Sequence, residues 1–98
     1  MAKTAFLGVV IAPPTVEPGF DGVTVVRFSV AFYPFDQNVV FDIWTIRDQA
    51  NFCISHISVG SLVYIEGQSD NVGCSEDDSS PLMIFIHADR VVKIGAGT

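Results

Sequence analysis

The arrangement closest to a catalytic centre in this sequence is a thiol and an imidazole three residues apart, Cys53 and His56. On a helix, side chains at that spacing lie on one face, and a histidine can activate a neighbouring thiol as a nucleophile. However, Cys53 belongs to the apolar stripe of its segment, and no Asp or Asn is placed to orient His56. We therefore expect a core thiol beside a surface histidine, and we predict that the protein is not an enzyme.

Patterns of metal ligands are also missing. The two cysteines, Cys53 and Cys74, are accompanied by neither a CxxC pair nor a histidine cluster with zinc-ligand spacing. The acidic run Glu76-Asp77-Asp78 lacks the alternating ligands and the glycine of a calcium loop. We expect two free thiols and a solvated acidic loop, and we predict that the chain uses no metal and no cofactor.

Length and composition limit what this chain can be. With 98 residues, 49% of them apolar and 16% charged, it has the hydrophobicity of one folded domain over residues 1–98 and not of a disordered chain. No apolar run approaches the roughly 18 residues that a membrane span requires. Eleven acidic and five basic residues leave a net charge of -6, so electrostatic attraction to nucleic acid is weak. The unpaired cysteines favour a cytoplasmic location.

Apolar runs separated by turn residues predict five strands. They are expected at residues 3–11, 23–33, 39–47, 61–67 and 82–94. The first run, within the opening MAKTAFLGVVIAPP, is short for a secretory signal and fits a strand that stops at Ala12-Pro13-Pro14. The segments 15–21 and 68–81 are predicted to be connections, with acidic residues at 70–78, and residues 95–98 form a short tail.

One short helix is predicted between the third and fourth strands. Asp48 is a good N-cap and Gly60 is a typical stop. Between them, apolar residues follow one another at helical spacing: Ala50, Cys53, Ile54 and Ile57. We expect this stripe to pack against the core rather than to bind a partner.

Alternation within the strands predicts which side chains point inward. In the second strand one face carries Val26, Phe28 and Val30, and the other carries Arg27, Ser29 and Ala31. In the third strand one face carries Phe41, Ile43 and Thr45, and the other carries Val40, Asp42, Trp44 and Ile46. The pattern therefore puts the single tryptophan outside the face that Phe41 and Ile43 share. On the last strand, His87 alternates with core residues and is expected to be a partly buried imidazole.

The element order is β-β-β-α-β-β. This is the order of the OB-fold, a small, partly open barrel of five strands. An immunoglobulin-like sandwich would need about seven strands and no helix. We therefore predict an all-β protein, a five-stranded OB-fold barrel with one short α-helix between strands three and four.

Three segments resemble the bacterial single-stranded DNA-binding proteins in order and spacing. They are VVRFSVA at Val25–Ala31, FDIW at Phe41–Trp44 and GSLVYIEG at Gly60–Gly67, the last being the most specific. The resemblance covers roughly residues 3 to 94. It implies an OB-fold, self-association through the first strand into dimers or tetramers, and single-stranded DNA held across the sheet, as DNA replication and repair require.

The sequence departs from that family where its stacking aromatics stand. Counting from Gly60, those positions hold Val40, Ile46 and Cys74, none of them aromatic. Ser69-Asp70-Asn71 replaces the usual basic stretch and repels a phosphate backbone. Because the chain stops at Thr98, we also expect the acidic, partner-recruiting tail of the family to be absent. The resemblance therefore identifies a divergent, acidic member.

Aromatic and arginine residues remain that suit a single strand. Trp44 lies outside the face that Phe41 and Ile43 share. Tyr33 and Phe35 stand at the rim of the second strand, where the family has another stacking residue. We predict that these three stack on bases without regard to sequence, because every base has a π-face. Arg27 and Arg47 are predicted to contact phosphates. With so few cations, binding rests mainly on stacking and depends weakly on salt.

A second interpretation stays open for the same surface. The face of Val40, Trp44 and Ile46 is more apolar than a wet nucleic-acid groove, and exposed aromatics commonly lie in protein interfaces. On this interpretation the chain is an OB-fold subunit or adaptor that has lost DNA binding and joins a protein assembly. Neither interpretation involves a membrane.

Overall fold

The computed structural model describes residues 2–32, 36–69 and 82–95. These residues form five strands, one α-helix and a short 3-10 turn. The bounds are β1 Ala2–Pro18, the turn Phe20–Gly22, β2 Thr24–Phe32, β3 Asp36–Ile46, α1 Arg47–His56, β4 Leu62–Ser69 and β5 Leu82–Gly95. The predicted order of strands and helix is confirmed. Gln68 and Ser69, expected in the acidic loop, belong to β4; residues 70–81, with Cys74, and the tail 96–98 lie outside the described residues.

The five strands close into a barrel in the order β1-β2-β3-β5-β4. Neighbouring strands are antiparallel except for β3 and β5, which run parallel. This closed barrel, with its helix following β3, is the predicted OB-fold. Closure is what brings β5, from the end of the chain, beside the central strand β3.

Strand β1 is longer than its prolines predicted, because it pairs with two neighbouring strands, β4 and β2. Its first half, Ala2–Val9, pairs with β4, and residues Gly8–Pro18 pair with β2. Register shifts between Val10 and Thr15 interrupt the second pairing and accommodate Pro13 and Pro14, which have no backbone N–H to donate. The predicted stop at Ile11 and the predicted connection over residues 15–21 were therefore wrong. The prolines bend the strand without ending it.

The core lies where the alternation placed it. Val26, Val30 and Ile43 are fully buried, and Phe28 and Phe41 are nearly so. Each such side chain contributes roughly 1.5–3 kcal/mol by leaving water. Thr45 is the polar member of its face, and its hydroxyl donates a hydrogen bond of 3.1 Å to the carbonyl of Ala88 on β5. That bond compensates for burial of the hydroxyl. Ala31, predicted to share the outer face of β2, is only 2% exposed, although it pairs in register with the partly exposed Val9 and Val40.

Helix α1 covers one end of the barrel. Asp48 does not cap it: Ile46 precedes the first turn in an extended conformation with no side-chain cap, and Asp48 lies within that turn. The helix ends at His56, four residues before the predicted stop at Gly60. Gln49 fixes its start, because the Gln49 amide oxygen accepts a hydrogen bond of 2.8 Å from the Val91 N–H. A contact with β5 therefore anchors the first turn of α1, which no side chain caps.

The buried stripe of α1 is narrower than its spacing predicted. Ala50 and Cys53 are completely buried and Ile57 is 5% exposed, whereas Ile54 is 45% exposed. Burial raises the pKa of the Cys53 thiol to about 12, so the thiol stays protonated at neutral pH. His56 is exposed and packs against Phe52, with ring centroids 4.9 Å apart. Cys53 is thus the core thiol that the sequence predicted.

No helix in the described ranges of the chain is long and apolar enough to cross a lipid bilayer. Within the same residues, no group of three or more His, Cys, Asp and Glu side chains is gathered as metal ligands would be.

Candidate nucleic-acid interface

A row of side chains crosses the outside of the barrel, with one residue from each of four neighbouring strands. Arg27 of β2 pairs in register with Trp44 of β3, and Trp44 pairs with His87 of β5. His87 in turn pairs with Gln68 of β4. Because adjacent strands lie about 4.8 Å apart, these four side chains are close neighbours. We call Arg27, Trp44, His87 and Gln68 the outer row.

Trp44 and His87 form a two-ring stack in the middle of the outer row. Their ring centroids lie 4.0 Å apart and their planes differ by 9°. Both side chains are partly exposed, so the indole stands on the surface and not in the core. Sequence reasoning missed this role of His87. The alternation indicated its face, but nothing local showed that β5 runs beside β3.

Arg27 is already paired with acidic residues. Its guanidinium donates a short hydrogen bond to Asp42 and lies 3.6 Å from a carboxylate oxygen of Glu17. The hydrogen bond to Asp42 is the main cause that raises the pKa of Arg27, and partial burial opposes it. One positive and two negative charges leave this group with a net charge of -1. Asp42 was predicted to share this face of β3 with Trp44, whereas Glu17 was not expected at the site and reaches it only because β1 continues past its prolines.

Arg47 lies three residues beyond Trp44, at the junction of β3 and α1. It is exposed, and it makes no ion pair with any residue that the structure describes. Its backbone φ of 58° is in the left-handed region, which costs a residue with a side chain roughly 1–2 kcal/mol. The junction therefore exposes the positive charge of Arg47 to solvent on a strained backbone.

Relief of that strain gives a prediction about stability. Arg47→Gly should raise the free energy of unfolding by roughly 0.5–1 kcal/mol, because glycine adopts this conformation freely but loses more entropy on folding. Urea unfolding measures the change. The matched variant is Asp21→Gly, at another φ of 58°, where the gain should be smaller because Asp tolerates this region better. A lower midpoint for Arg47→Gly would contradict the strain.

The other predicted site residues fall into two groups. Val40 and Ile46, at positions where the family has aromatics, are partly exposed on the same side of β3 as Trp44. Tyr33 and Phe35 lie outside the described residues. The structure therefore brings Trp44 and Arg27 together and leaves Arg47 at the end of the strand, while the stacking role of Tyr33 and Phe35 stays a prediction.

The outer surface of β1, β4 and β5 is of a different character. Leu7 pairs with Tyr64, Val9 with Leu62, and Tyr64 also with Val92. Leu7 is 37% exposed, so apolar surface meets solvent there. We call Leu7, Val9, Leu62, Tyr64 and Val92 the apolar face. At its margin Glu66 accepts a hydrogen bond from Tyr64, which raises the pKa of that hydroxyl, and lies 4.0 Å from Arg90.

Solved structures share this architecture. A small single-stranded DNA-binding protein from Streptomyces coelicolor is similar at a TM-score of 0.74 and 19% identity, covering 94% of this chain and 91% of that one. The mitochondrial single-stranded DNA-binding protein of S. cerevisiae is similar at a TM-score of 0.77 and 18% identity, covering 98% of this chain and 97% of that one. The SSB domain of a Synechococcus protein is similar at a TM-score of 0.70 and 14% identity, covering 93% of each chain.

The likeness is one of structure and not of sequence. No family model matches the chain, and no curated protein matches it in sequence. The structural similarity nevertheless extends over 91–97% of the length of each neighbour. The chain therefore has the OB-fold barrel that is found in single-stranded DNA-binding proteins.

Proposed function

We propose that the protein binds single-stranded DNA without regard to base sequence, by stacking bases on Trp44. The observation that carries the proposal is the partly exposed indole on the outside of a barrel with this fold. Stacking on an aromatic ring contributes about 1–3 kcal/mol per base and accepts any base. Tyr33 and Phe35 would extend the stacking surface. Binding of this kind would serve DNA replication and repair in the cytoplasm.

Phosphate contacts contribute less to this proposal. Arg27 shares its charge with Asp42 and Glu17, whereas Arg47 is exposed and free of ion pairs among the described residues. One or two phosphate contacts on a single strand give a slope of about -0.7 to -1.4 in log K against log salt. Affinity should therefore be modest and only weakly dependent on salt, with Arg47 the more effective cation.

A fluorescence titration with oligo-dT tests the proposal directly. Trp44 is the only tryptophan in the chain, so any change in indole emission reports on this site. We expect strong quenching at low salt and an affinity about three- to sevenfold lower at a fourfold higher salt concentration, as the slope above requires. Unchanged emission and no bound oligonucleotide at micromolar protein would reject DNA binding.

A second function is favoured by charge. The chain carries a net charge of -6, and the group of Arg27, Asp42 and Glu17 adds local negative charge beside Trp44. Both features repel phosphates and are compatible with a protein partner at the outer row. In that case the domain is a subunit or adaptor of a protein assembly. An oligomer that leaves oligo-dT unbound would support this function.

We infer that the chain self-associates as a dimer or tetramer through β1 and the apolar face. Exposed apolar surface on a sheet is typical of an interface, and β1 supplies Leu7 and Val9 to it. Leu7→Lys should raise the dissociation constant of the oligomer at least tenfold, because symmetry would bring buried like charges together. Light scattering over a range of protein concentrations measures the shift.

Val16→Lys is the matched control for self-association. Val16 also lies on β1 and is 61% exposed, but it belongs to the half that pairs with β2. Its variant should assemble as the original chain does. An unchanged mass for Leu7→Lys, or equal dissociation in both variants, would show that the apolar face is not the interface.

A further inference from the structure

We propose that His87 belongs to the DNA-binding surface, where it positions the Trp44 ring and, once protonated, supplies positive charge at the centre of the outer row. This inference rests on the proposed function and adds a residue and a pH dependence to it. Two observations carry it independently. One is the geometry of the two-ring stack, and the other is the distribution of charge around it.

The stack determines which surface of Trp44 a base can reach. The His87 ring lies parallel to the indole at 4.0 Å, so one face of the indole is covered. The opposite side is the side of β2, where Arg27 stands in register. His87 therefore leaves only the remaining surface of the indole for a base and holds the ring in place from the other side. Loss of the imidazole ring frees the indole to rotate, which adds an entropic cost to binding.

Charge explains why an imidazole in this place matters. Arg27 is offset by Asp42 and Glu17. Lys3 pairs with Gln68 beyond one end of the row, and Arg47 lies outside the row, three residues past Trp44 at the end of β3. In the middle of the row, His87 is therefore the titratable base among the described residues.

The side chains around His87 come from three neighbouring strands. From β3 it faces Trp44, with Asp42 two residues earlier on that strand; from β4 it faces Gln68; on β5 its neighbours at two residues are Phe85 and Asp89. Asp42 and Asp89 are thus the carboxylates nearest to the imidazole in sequence and register, and the indole ring lies 4.0 Å from it. Histidine side chains gain a proton as the pH falls from 8 to 5. Protonation then places a cation beside the bound strand.

The test is a fluorescence-anisotropy titration of 5′-labelled oligo-dT at pH 7.5 and pH 5.5 over a series of salt concentrations. The original chain should bind about three- to tenfold more tightly at pH 5.5. Its slope of log K against log salt should steepen by about 0.7, the amount expected for one additional phosphate contact. If His87 were only a structural residue, neither the affinity nor the salt slope would change between pH 7.5 and pH 5.5.

Three variants separate the two roles of His87. His87→Phe keeps a ring without a charge and should retain affinity at pH 7.5 while losing the gain at pH 5.5. His87→Gln loses the ring as well and should bind several-fold more weakly at both pH values. His56→Gln removes the exposed histidine of α1 and should behave as the original chain does. Thermal unfolding of each variant verifies that the fold is retained.

Each other outcome is informative. A gain at low pH that persists in His87→Phe would assign the effect to another group, and unchanged affinity in His87→Gln would remove the positioning role. Either result, with the original chain still binding, overturns this inference alone. If the original chain binds at neither pH, the proposed function fails and this inference with it.

Discussion

Replacement of Trp44 by alanine should lower the affinity for oligo-dT by about 5- to 150-fold, the equivalent of about 1–3 kcal/mol for one lost stacking contact. The upper part of this range is expected, because the family's other stacking positions on β3 carry Val40 and Ile46. Few alternative rings are therefore available to take over. Since the variant has no tryptophan, anisotropy of a labelled oligonucleotide is the suitable measurement.

Trp44→Phe is the matched control for this effect. It retains a ring in the same place on β3, beside His87, and should lose no more than a few-fold in affinity. Similar losses in both variants would contradict stacking on a ring as the source of the affinity, because Trp44→Phe keeps a ring and Trp44→Ala does not. Equal affinity of Trp44→Ala and the original chain would exclude Trp44 from the binding surface.

The largest effect on stability should come from Gly67→Ala. A β-carbon at Gly67 would lie 2.2 Å from the His87 carbonyl oxygen and 2.9 Å from the Ala88 α-carbon. Both are backbone atoms of β5, so no side chain can rotate away, and β4 and β5 must separate. Overpacking typically costs 1–3 kcal/mol, and we expect about 3 kcal/mol here. For a domain of this size, the urea midpoint should fall by about 2 M.

Gly95→Ala provides the comparison for that variant. Gly95 also lies on β5, but a β-carbon there would meet nothing within 4 Å. Its free energy of unfolding should change by less than about 0.5 kcal/mol, the range that is usual for surface substitutions. Equal midpoints for the two variants would show that β4 and β5 do not approach each other this closely. Because Gly67 contacts the backbone of His87, its substitution should also displace the two-ring stack.

The faces of the strands could be predicted from the sequence alone. Phe41, Ile43 and Thr45 point inward, and Trp44 therefore points outward, because side chains alternate with a period of two whatever the strand pairs with. The same local pattern supplied the element order, and hence the OB-fold. These features depend on residues that are near one another in the chain.

Local signals failed where a distant part of the barrel satisfies the backbone. Pro13 and Pro14 predicted the end of β1, yet pairing with β2 continues beyond them to Pro18. Asp48 predicted a cap for α1, yet the start of that helix is held by the bond from Val91 to Gln49. In both places a contact with another strand outweighed a preference of the local sequence.

The composition of the outer row was decided by tertiary structure. His87 stands beside Trp44 only because β5 pairs in parallel with β3, and the register of that pair follows from closure of the whole barrel. Glu17 reaches Arg27 only because β1 bends at its prolines and continues along β2. The sequence determined which residues face outward, whereas their neighbours depend on strands far apart in the chain, since hydrogen bonding between strands carries no signal within either strand alone.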